Sequence, residues 1–457
     1  MYEDSSENDG FREVTVRRWP TKLLASCLLI VMLCTVAATP VAVIYRLYQQ
    51  RRESREIIIS EQTGSLDSSR IAYIAADQQL YTSAPDGSDR NKITGNGRSY
   101  QFPAWSPDGS QIAVVSEDTL YSFQDRDGAE ESGAFNILYQ DEADRPFYLY
   151  WAPDGSEVSF LTNHADGLAL HLATVEPTPQ SRAVAFGQPF YWDWDPGGEE
   201  ILIHSGLSGE EARLAFLDRE FGDVGGNIAD PGLFQAPGIS YDGQYWAYAQ
   251  SGSAGRSHLT IQGIDGETFQ QEQERGVIAM SWSPVEQVLA YIGSSDRQPA
   301  FYGPLQLVSA ESGDRRILVS DTTIAFFWSP DGRSIAYLKF ADLNEDSVHV
   351  DSATSMKESL SKPAVQERRL LLELWVIDIS EGEPRWLASF EPSRVFVSQF
   401  LPYFDQYALS HRIWSPDSDA LIVPMQEGDR TRLYVVPVHG GEAVPLANGE
   451  IGFWSNN

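Results

Sequence analysis

From residue 70 onward, short apolar runs alternate with polar turns, and the same turn phrase precedes many of the runs. Residues 111–115 follow the phrase Trp-Ser-Pro-Asp-Gly at 105–109, and residues 334–338 follow the same phrase at 328–332. The runs are rich in β-branched and aromatic side chains, which favours short strands over helices. In Ser-Pro-Asp-Gly the proline already has the φ of a type I turn, and aspartate and glycine suit the next two positions. Each phrase therefore predicts two strands joined by a tight turn.

The turn phrase occurs eight times; the clearest copies are at 105–109, 151–155, where alanine replaces serine, and 328–332, and the others are degenerate. A second phrase, an apolar strand that leads to a glycine turn, also occurs eight times, as at 433–441. Most successive tryptophans are 40 to 46 residues apart, the length of a four-stranded propeller blade. We interpret the tryptophans as core residues between blades and the aspartates as turn formers rather than catalytic carboxylates. The residues of the turn phrase are Trp105, Pro107, Asp108, Gly109, Trp151, Pro153, Asp154, Gly155, Trp194, Asp242, Gly243, Trp282, Trp328, Pro330, Asp331, Gly332, Trp414, Pro416, Asp417 and Trp454.

The spacing is irregular between Trp328 and Trp414. This step contains one copy of the second phrase, and residues 341–368 are polar without strand periodicity, so we predict an insertion within one blade. The repeats begin with the later strands of a unit at 70–83 and end with an unpaired first strand at 451–454. Pairing of these two ends would close the ring and remove the exposed edges of an open sheet. The count predicts eight four-stranded blades, with seven as the alternative if a degenerate unit does not form.

The repeat resembles those of TolB-like β-propellers, which are related to WD40-like repeats. The resemblance rests on Trp-Ser-Pro-Asp-Gly, the following Ile-Ala-Tyr or Ile-Ala-Val, a Leu-Tyr-Val strand and a glycine turn, and it covers residues 70–457. It implies an all-β propeller of a bacterial protein. It does not select an activity, because binding proteins and peptidases share such propellers. The repeat is also similar to the propellers of the prolyl oligopeptidase family, but the Gly-x-Ser-x-Gly elbow of their hydrolase domain is missing from this sequence.

Residues 23–45 form an uncharged apolar stretch that is long enough to span a bilayer as a helix. We therefore predict an N-terminal tail at 1–22, a single-pass transmembrane helix at 23–45, a charged linker at 46–69 and the propeller at 70–457. A cleaved signal peptide is the alternative, because the small residues at 37–38 and 41–42 would suit a peptidase. Four basic residues flank each side, so charge does not choose an orientation. The family resemblance favours a cytoplasmic tail and an extracytoplasmic propeller.

Charge and cysteine content narrow the function classes. The net charge of −32 falls almost wholly within residues 57–457, and so acidic a domain repels phosphate backbones, so we expect no nucleic-acid partner. Both cysteines, Cys27 and Cys34, lie in the apolar stretch, which leaves the propeller without a disulfide or a cysteine metal site. The seven histidines lack the spacing of metal ligands. We therefore predict no catalytic residue, no cofactor and no metal.

These observations favour a non-enzymatic, membrane-anchored binding or scaffolding module of the cell envelope. Its expected partners are the membrane and a protein, a peptide or an envelope glycan, bound by loops or by the central funnel. The insertion at 341–368 is a candidate contact for a partner, and a segment without function is an equal alternative. The second hypothesis is a hydrolase or lyase that acts on glycans through carboxylates gathered in the funnel, a convergence that sequence does not reveal.

Overall fold

The computed structural model describes residues 69–456 except 166, 207–211, 233–235, 253–255, 273–276, 294–302, 342–369 and 381. The predicted tail at 1–22, the transmembrane helix at 23–45, the linker before residue 69 and the insertion beyond residue 341 lie outside the described residues. Within the described part of the chain, no helix has both the length and the apolar character needed to cross a membrane.

Short strands make up most of the described chain, and the runs that follow each turn phrase are strands as predicted. The first half of the chain holds β1 (Ile71–Ala75), β2 (Leu80–Ser83), β3 (Asn91–Lys92), β4 (Gln101–Trp105), β5 (Gln111–Ser116), β6 (Thr119–Gln124), β7 (Phe135–Gln140), β8 (Pro146–Trp151), β9 (Glu157–His164), β10 (Gly167–Thr174), β11 (Ser181–Gly187), β12 (Phe190–Trp194), β13 (Glu200–Ser205) and β14 (Arg213–Asp218). The second half holds β15 (Gly238–Ile239), β16 (Tyr245–Ser251), β17 (Ser257–Gly263), β18 (Thr268–Glu272), β19 (Ile278–Trp282), β20 (Val288–Gly293), β21 (Gly303–Ser309), β22 (Arg315–Thr323), β23 (Ala325–Trp328), β24 (Ser334–Phe340), β25 (Leu372–Asp378), β26 (Pro384–Phe390), β27 (Ala420–Glu427), β28 (Arg430–Pro437) and β29 (Val444–Trp454).

Consecutive strands pair antiparallel, and the described strands form seven hydrogen-bonded sheets. Five sheets have four strands each: β4–β7, β8–β11, β15–β18, β19–β22 and β23–β26. The sheet β12–β14 has three strands, and the last sheet has six in the order β27-β28-β29-β1-β2-β3. This succession of small antiparallel sheets is a β-propeller, which confirms the predicted fold class.

The ring closes where the two ends of the propeller meet. Strand β29 runs antiparallel to β1, with Trp454 opposite Ile71 and Ile451 opposite Ile74. The predicted closure by the C-terminal strand is therefore confirmed.

The expectation of eight separate blades is not supported, because the described strands pair into seven sheets, the alternative count. The cause is β29, which pairs with β28 up to Asn448 and with β1 from Gly449 onward. Asn-Gly commonly marks a turn, yet here the chain stays extended, since both halves of the strand have partners. The last two repeat units therefore share one strand and one sheet, which a count of turn phrases does not detect.

Burial decreases from the first strands of each sheet to the last. All five residues of β1 are buried, and so are the second to sixth residues of β5. The last strands β22 and β26 are largely exposed, with Trp386 of β26 52% exposed, and β7 has a single buried residue. Because neighbouring sheets cover both faces of the inner strands, these strands are continuous apolar runs rather than alternating ones.

One helical segment interrupts the repeat between β26 and β27. It comprises a π-helical turn Phe396–Phe400, a 3₁₀ turn Leu401–Tyr403 and the helix α1, Phe404–Ser410. Phe396, Phe400, Phe404 and Tyr407 recur every three or four residues and are all buried. This spacing places them on one face of a helical segment.

Candidate functional site

The helical segment and the following residue lie at the centre of the ring, and we call residues 396–411 the axial segment. Its aromatic side chains pack against the first strands of β4–β7, β8–β11 and β23–β26 and against β29 of the closing sheet. The pairs are Tyr407–Phe102, Tyr407–Tyr148, Phe404–Phe326 and Phe400–Phe453, with ring centroids 4.9, 4.9, 5.4 and 5.7 Å apart. Since strands from different sides of the ring surround it, the axial segment occupies the propeller axis.

Gln406 anchors the axial segment to the surrounding strands through its side-chain amide. Its Oε1 accepts a hydrogen bond from Trp192 N, and its Nε2 donates to Trp192 O, each at 2.8 Å. The hydroxyl of Tyr148 donates to the carbonyl of Gln406 at 2.8 Å. These bonds satisfy buried polar groups, so the position and rotation of α1 are fixed.

Asp405 is a buried carboxylate beside this anchor. It accepts hydrogen bonds from the backbone N–H of Ala236 at 3.1 Å and of Gln406 at 3.0 Å. Burial disfavours the charged form and raises the pKa of Asp405 to about 7, in spite of these two donors.

His411 ends the axial segment as a neutral side chain. Its Nε2 lies 3.2 Å from the carbonyl oxygen of Phe102, so this nitrogen carries the proton, and Nδ1 accepts from the Ser410 hydroxyl at 2.6 Å. Burial lowers the pKa of His411 to about 3. No positive charge therefore comes from this residue at neutral pH.

At the end of the ring where the turn phrases lie, two adjoining cavities of about 360 and 330 Å³ open above the axial segment. We call them together the axial depression. The prolines of the phrases line its wall, namely Pro107, Pro153, Pro196, Pro284 and Pro330. The residues common to both cavities are Tyr150, Pro153, Ala408, Leu409, His411 and Arg412. The repeat thus builds the wall, and the end of α1 with the residues that follow it builds the floor.

Arg412 is the cation of this floor. Its Nη1 makes one long contact, 3.5 Å, to the carbonyl oxygen of Asn456, and no carboxylate of the described residues forms an ion pair with it. The ionisable group that interacts with it is the phenol of Tyr150. Burial lowers the pKa of Arg412 from its usual value, yet an arginine stays charged at physiological pH. The depression therefore contains a positive charge that forms no ion pair with a carboxylate of the described residues.

Asp193 on β12 also lines the depression. Its Oδ1 accepts from the Tyr150 hydroxyl at 3.3 Å, and its Oδ2 accepts from Ile239 N at 2.9 Å. Burial, with a smaller contribution from the neighbouring Asp195, raises the pKa of Asp193 to about 7. Burial also raises the pKa of Tyr150 well above its usual value, so the phenol stays protonated.

The tryptophans of the turn phrase join one sheet to the next. Four indole Nε1 atoms donate to a backbone carbonyl of the preceding sheet. The pairs are Trp105–Phe453, Trp151–Ala104, Trp328–Ser281 and Trp414–Phe327, at 3.2, 3.0, 3.0 and 3.0 Å. Trp194 Nε1 donates instead to the Ser159 hydroxyl, and Trp282 Nε1 is buried without a partner.

The aspartates and glycines of the phrase lie in its turns. Asp108 Oδ1 accepts from Ser110 N at 3.0 Å, and Gly109, at φ 70°, donates its N–H to Ser106 O at 2.9 Å. The same contacts recur around Asp154, Asp331, Asp242 and Asp417. In the last copy Ser418 adopts the positive φ of 65° that glycine has elsewhere.

Sequence reasoning missed the axial segment, Asp193 and Arg412. The aromatic spacing at 396, 400, 404 and 407 is a helical pattern and could have revealed the segment within the long step after Trp328. No sequence signal marks Arg412 or Asp193, because their environments depend on distant strands.

A second cavity, of about 440 Å³, lies at the opposite end of the axis. It is lined by aromatic, apolar and amide side chains, among them Phe147, Tyr191 and Gln399, and by no charged residue. Among the described residues no cluster of His, Cys, Asp or Glu could hold a metal ion. The axial depression is therefore the candidate site with defined chemistry.

No known protein-family model matches the chain, and no curated protein matches it in sequence. Among solved structures, TolB from Acinetobacter baumannii is 20% identical, with a TM-score of 0.34, over 54% of this chain and 63% of that one. The chain thus spans less than two thirds of that TolB.

A putative TolB from Agrobacterium tumefaciens is 18% identical, with a TM-score of 0.34, over 55% of this chain and 87% of that one. An oligogalacturonate lyase from Vibrio parahaemolyticus is 13% identical, with a TM-score of 0.47, over 81% of this chain and 96% of that one. TolB-like propellers are therefore among the structural neighbours, and a likeness at this level concerns the fold alone.

Proposed function

We propose that the chain is a membrane-anchored, non-enzymatic binding module whose propeller holds a partner in the axial depression. The observation that carries this proposal is Arg412, a positive charge without an ion pair on the floor of a preformed concave site. Binding sites are typically concave, largely apolar and supplied with a few fixed polar groups. The axial segment gives the depression a packed floor, since Tyr407 and Gln406 hold it against the surrounding strands.

The membrane anchor and the extracytoplasmic location belong to the same proposal. The anchor rests on the apolar stretch at 23–45, and the location rests on the resemblance to TolB-like repeats. A C-terminal alkaline phosphatase fusion, which is active only outside the cytoplasm, tests the location. An inactive fusion together with a fluorescent cytoplasmic reporter at the same position would reverse the orientation. Extraction of the protein from membranes by alkaline carbonate would refute the anchor.

Site-specific photo-cross-linking in cells tests the binding site. A benzoylphenylalanine at Tyr241, which is 39% exposed and lines the depression, should capture a defined partner. Benzoylphenylalanine in place of Trp386, which is 52% exposed on the outer strand β26, is the matched control and should not capture this partner. Equal adducts at both positions, or none at Tyr241, would contradict the proposal.

An enzyme that cleaves glycans is the second candidate, and Asp193 is the observation that favours it. A carboxyl group with a pKa of about 7 can act as a general acid at neutral pH. Glycosidases ordinarily use two carboxylates, however, and Asp193 is the one that lines the depression among the described residues. Release of reducing ends or unsaturated uronate from envelope polysaccharides by the wild type, and its loss in Asp193→Asn, would favour this candidate over the first.

A further inference from the structure

We propose that the axial depression binds the C-terminal carboxylate of a peptide and that Arg412 is its charge partner. This inference rests on the proposed function, in that it assigns a ligand class to the same depression. Four properties of the site lead to it: the isolation of Arg412, the number of cations, the character of the wall and the charge of the whole domain.

The isolation of Arg412 is exceptional within the part of the chain that the structure describes. Every other partly buried Arg or Lys among the described residues forms an ion pair with Asp or Glu; these are Arg70, Arg182, Arg219, Lys339 and Arg432. With the described residues Arg412 makes one long contact, to Asn456 O, although acidic residues outnumber basic ones 65 to 33 in the full sequence. A partly buried cation without a counter-ion is costly, and an anionic ligand removes this cost. The free protein therefore has a built-in preference for an anion at this position.

One cation indicates a singly charged ligand. His411, the other basic side chain of the floor, is neutral because Nε2 donates to a carbonyl and burial opposes protonation. A guanidinium offers its N–H donors in a planar fork that matches the two oxygens of a carboxylate. A phosphate dianion needs more compensating charge than these lining residues provide. A carboxylate is therefore the fitting anion.

The wall of the depression suits a peptide better than a sugar. Sugars stack on exposed aromatic faces, but Trp194 and Trp414 are only 3% and 2% exposed, and Tyr241, at 39%, is the single lining aromatic that is more than a third exposed. The phrase prolines present apolar ring surface, which suits the side chains that flank a terminal carboxylate. The two cavities of about 360 and 330 Å³ are of a size to hold a short peptide end.

Long-range charge points the same way. The net charge of −32 repels polyanions such as acidic polysaccharides, attracts basic chains and leaves neutral chains unopposed. A peptide with a neutral or basic body and one terminal carboxylate satisfies both the acidic domain and Arg412.

Fluorescence anisotropy with two peptide pools tests the inference on the full-length protein in detergent micelles. The first is a randomised hexapeptide pool with an N-terminal fluorescein and a free C-terminal carboxylate. The second is the same pool with an amidated C-terminus. Galacturonate and inorganic phosphate serve as competitors. We expect the free-acid pool to bind at least about ten-fold more tightly than the amidated pool, because a charge-assisted bidentate contact is lost.

Variants of Arg412 test whether this residue binds the terminal carboxylate. Arg412→Gln should weaken binding of the free-acid pool by roughly 10- to 100-fold, and Arg412→Lys by less, because it keeps the charge but loses the fork. Arg432→Gln, a partly buried arginine on β28 that pairs with Glu427, is the matched control and should bind like the wild type. The comparison of the two pools uses the wild type alone, so it stands even if Arg412→Gln does not fold.

The inference would be overturned if the two pools bound equally or if neither bound. It would also be overturned if a folded Arg412→Gln variant bound like the wild type. Displacement of the pool by galacturonate or phosphate, at concentrations at which a free-acid peptide competitor has no effect, would overturn it as well. If cross-linking at Tyr241 captures a partner but amidation of the peptides does not change their binding, the proposed binding module is retained and only its ligand class is refuted. Failure of the cross-linking as well would refute both.

Discussion

Asp405 provides a test of the axial segment through the pH dependence of folding. Its carboxyl group is 1% exposed and contacts backbone N–H groups but no cation of the described residues. Burial raises its pKa from an ordinary value near 3.8 to about 7. The folded protein therefore keeps this proton between about pH 4 and pH 7, where the unfolded chain has already lost it.

The sign and size of the effect follow from linkage. Because the folded state binds more protons in this range, the free energy of unfolding falls as pH rises, by about 1.4 kcal/mol per pH unit. Over the three units the contribution of Asp405 is about 4 kcal/mol, fully present near pH 4 and lost above pH 7. Asp405→Asn cannot titrate, so this slope should disappear. The loss of one acceptor for a backbone N–H adds a constant cost of about 1–3 kcal/mol that does not vary with pH.

Urea denaturation of the full-length protein, followed by tryptophan fluorescence at several pH values, measures the slope. The wild type should lose stability more steeply than Asp405→Asn between pH 5 and pH 7. Asp86→Asn is the control: Asp86 is exposed and its hydrogen bonds with Ser88 lower its pKa, so it does not titrate in this window. Parallel curves for wild type and Asp405→Asn would refute the burial argument.

Three further predictions use the same denaturation assay. Trp414→Phe removes the hydrogen bond from the indole to Phe327 O and should lower the free energy of unfolding by about 1–2 kcal/mol. Trp282→Phe should lower it less, because the Trp282 Nε1 has no hydrogen-bond partner. The reverse order would contradict the conclusion that these indole hydrogen bonds join neighbouring sheets. Tyr407→Ala empties the centre of the ring and should cost about 3–5 kcal/mol, and a cost below 1 kcal/mol would mean that the axial segment is not packed as described. Arg219→Ala removes one partner of the buried Glu157 and should cost about 3 kcal/mol, and the cost should shrink when Glu157→Gln is added in a double-mutant cycle.

The strands and the turns could be predicted from the sequence because both depend on local chemistry. Pro, Asp and Gly at fixed places in a four-residue phrase determine where a strand turns. The apolar residues between the phrases determine which strands are buried. The closure of the ring could be predicted from the order of the repeats. The chain starts with the later strands of one repeat unit at Ile71 and ends with the first strand of such a unit at Trp454, so pairing the two ends completes the unit.

The number of sheets and the candidate site were decided by tertiary contacts. Asn448-Gly449 is a typical turn sequence, yet pairing with β28 before it and with β1 after it keeps β29 extended. The last two repeat units therefore merge into one sheet. Tyr148 and Gln406 bond across 258 positions of the chain, a separation at which no local pattern indicates a contact. The isolation of Arg412 and the raised pKa of Asp193 arise from what surrounds each charge in three dimensions, since desolvation and missing counter-ions are properties of the assembled ring.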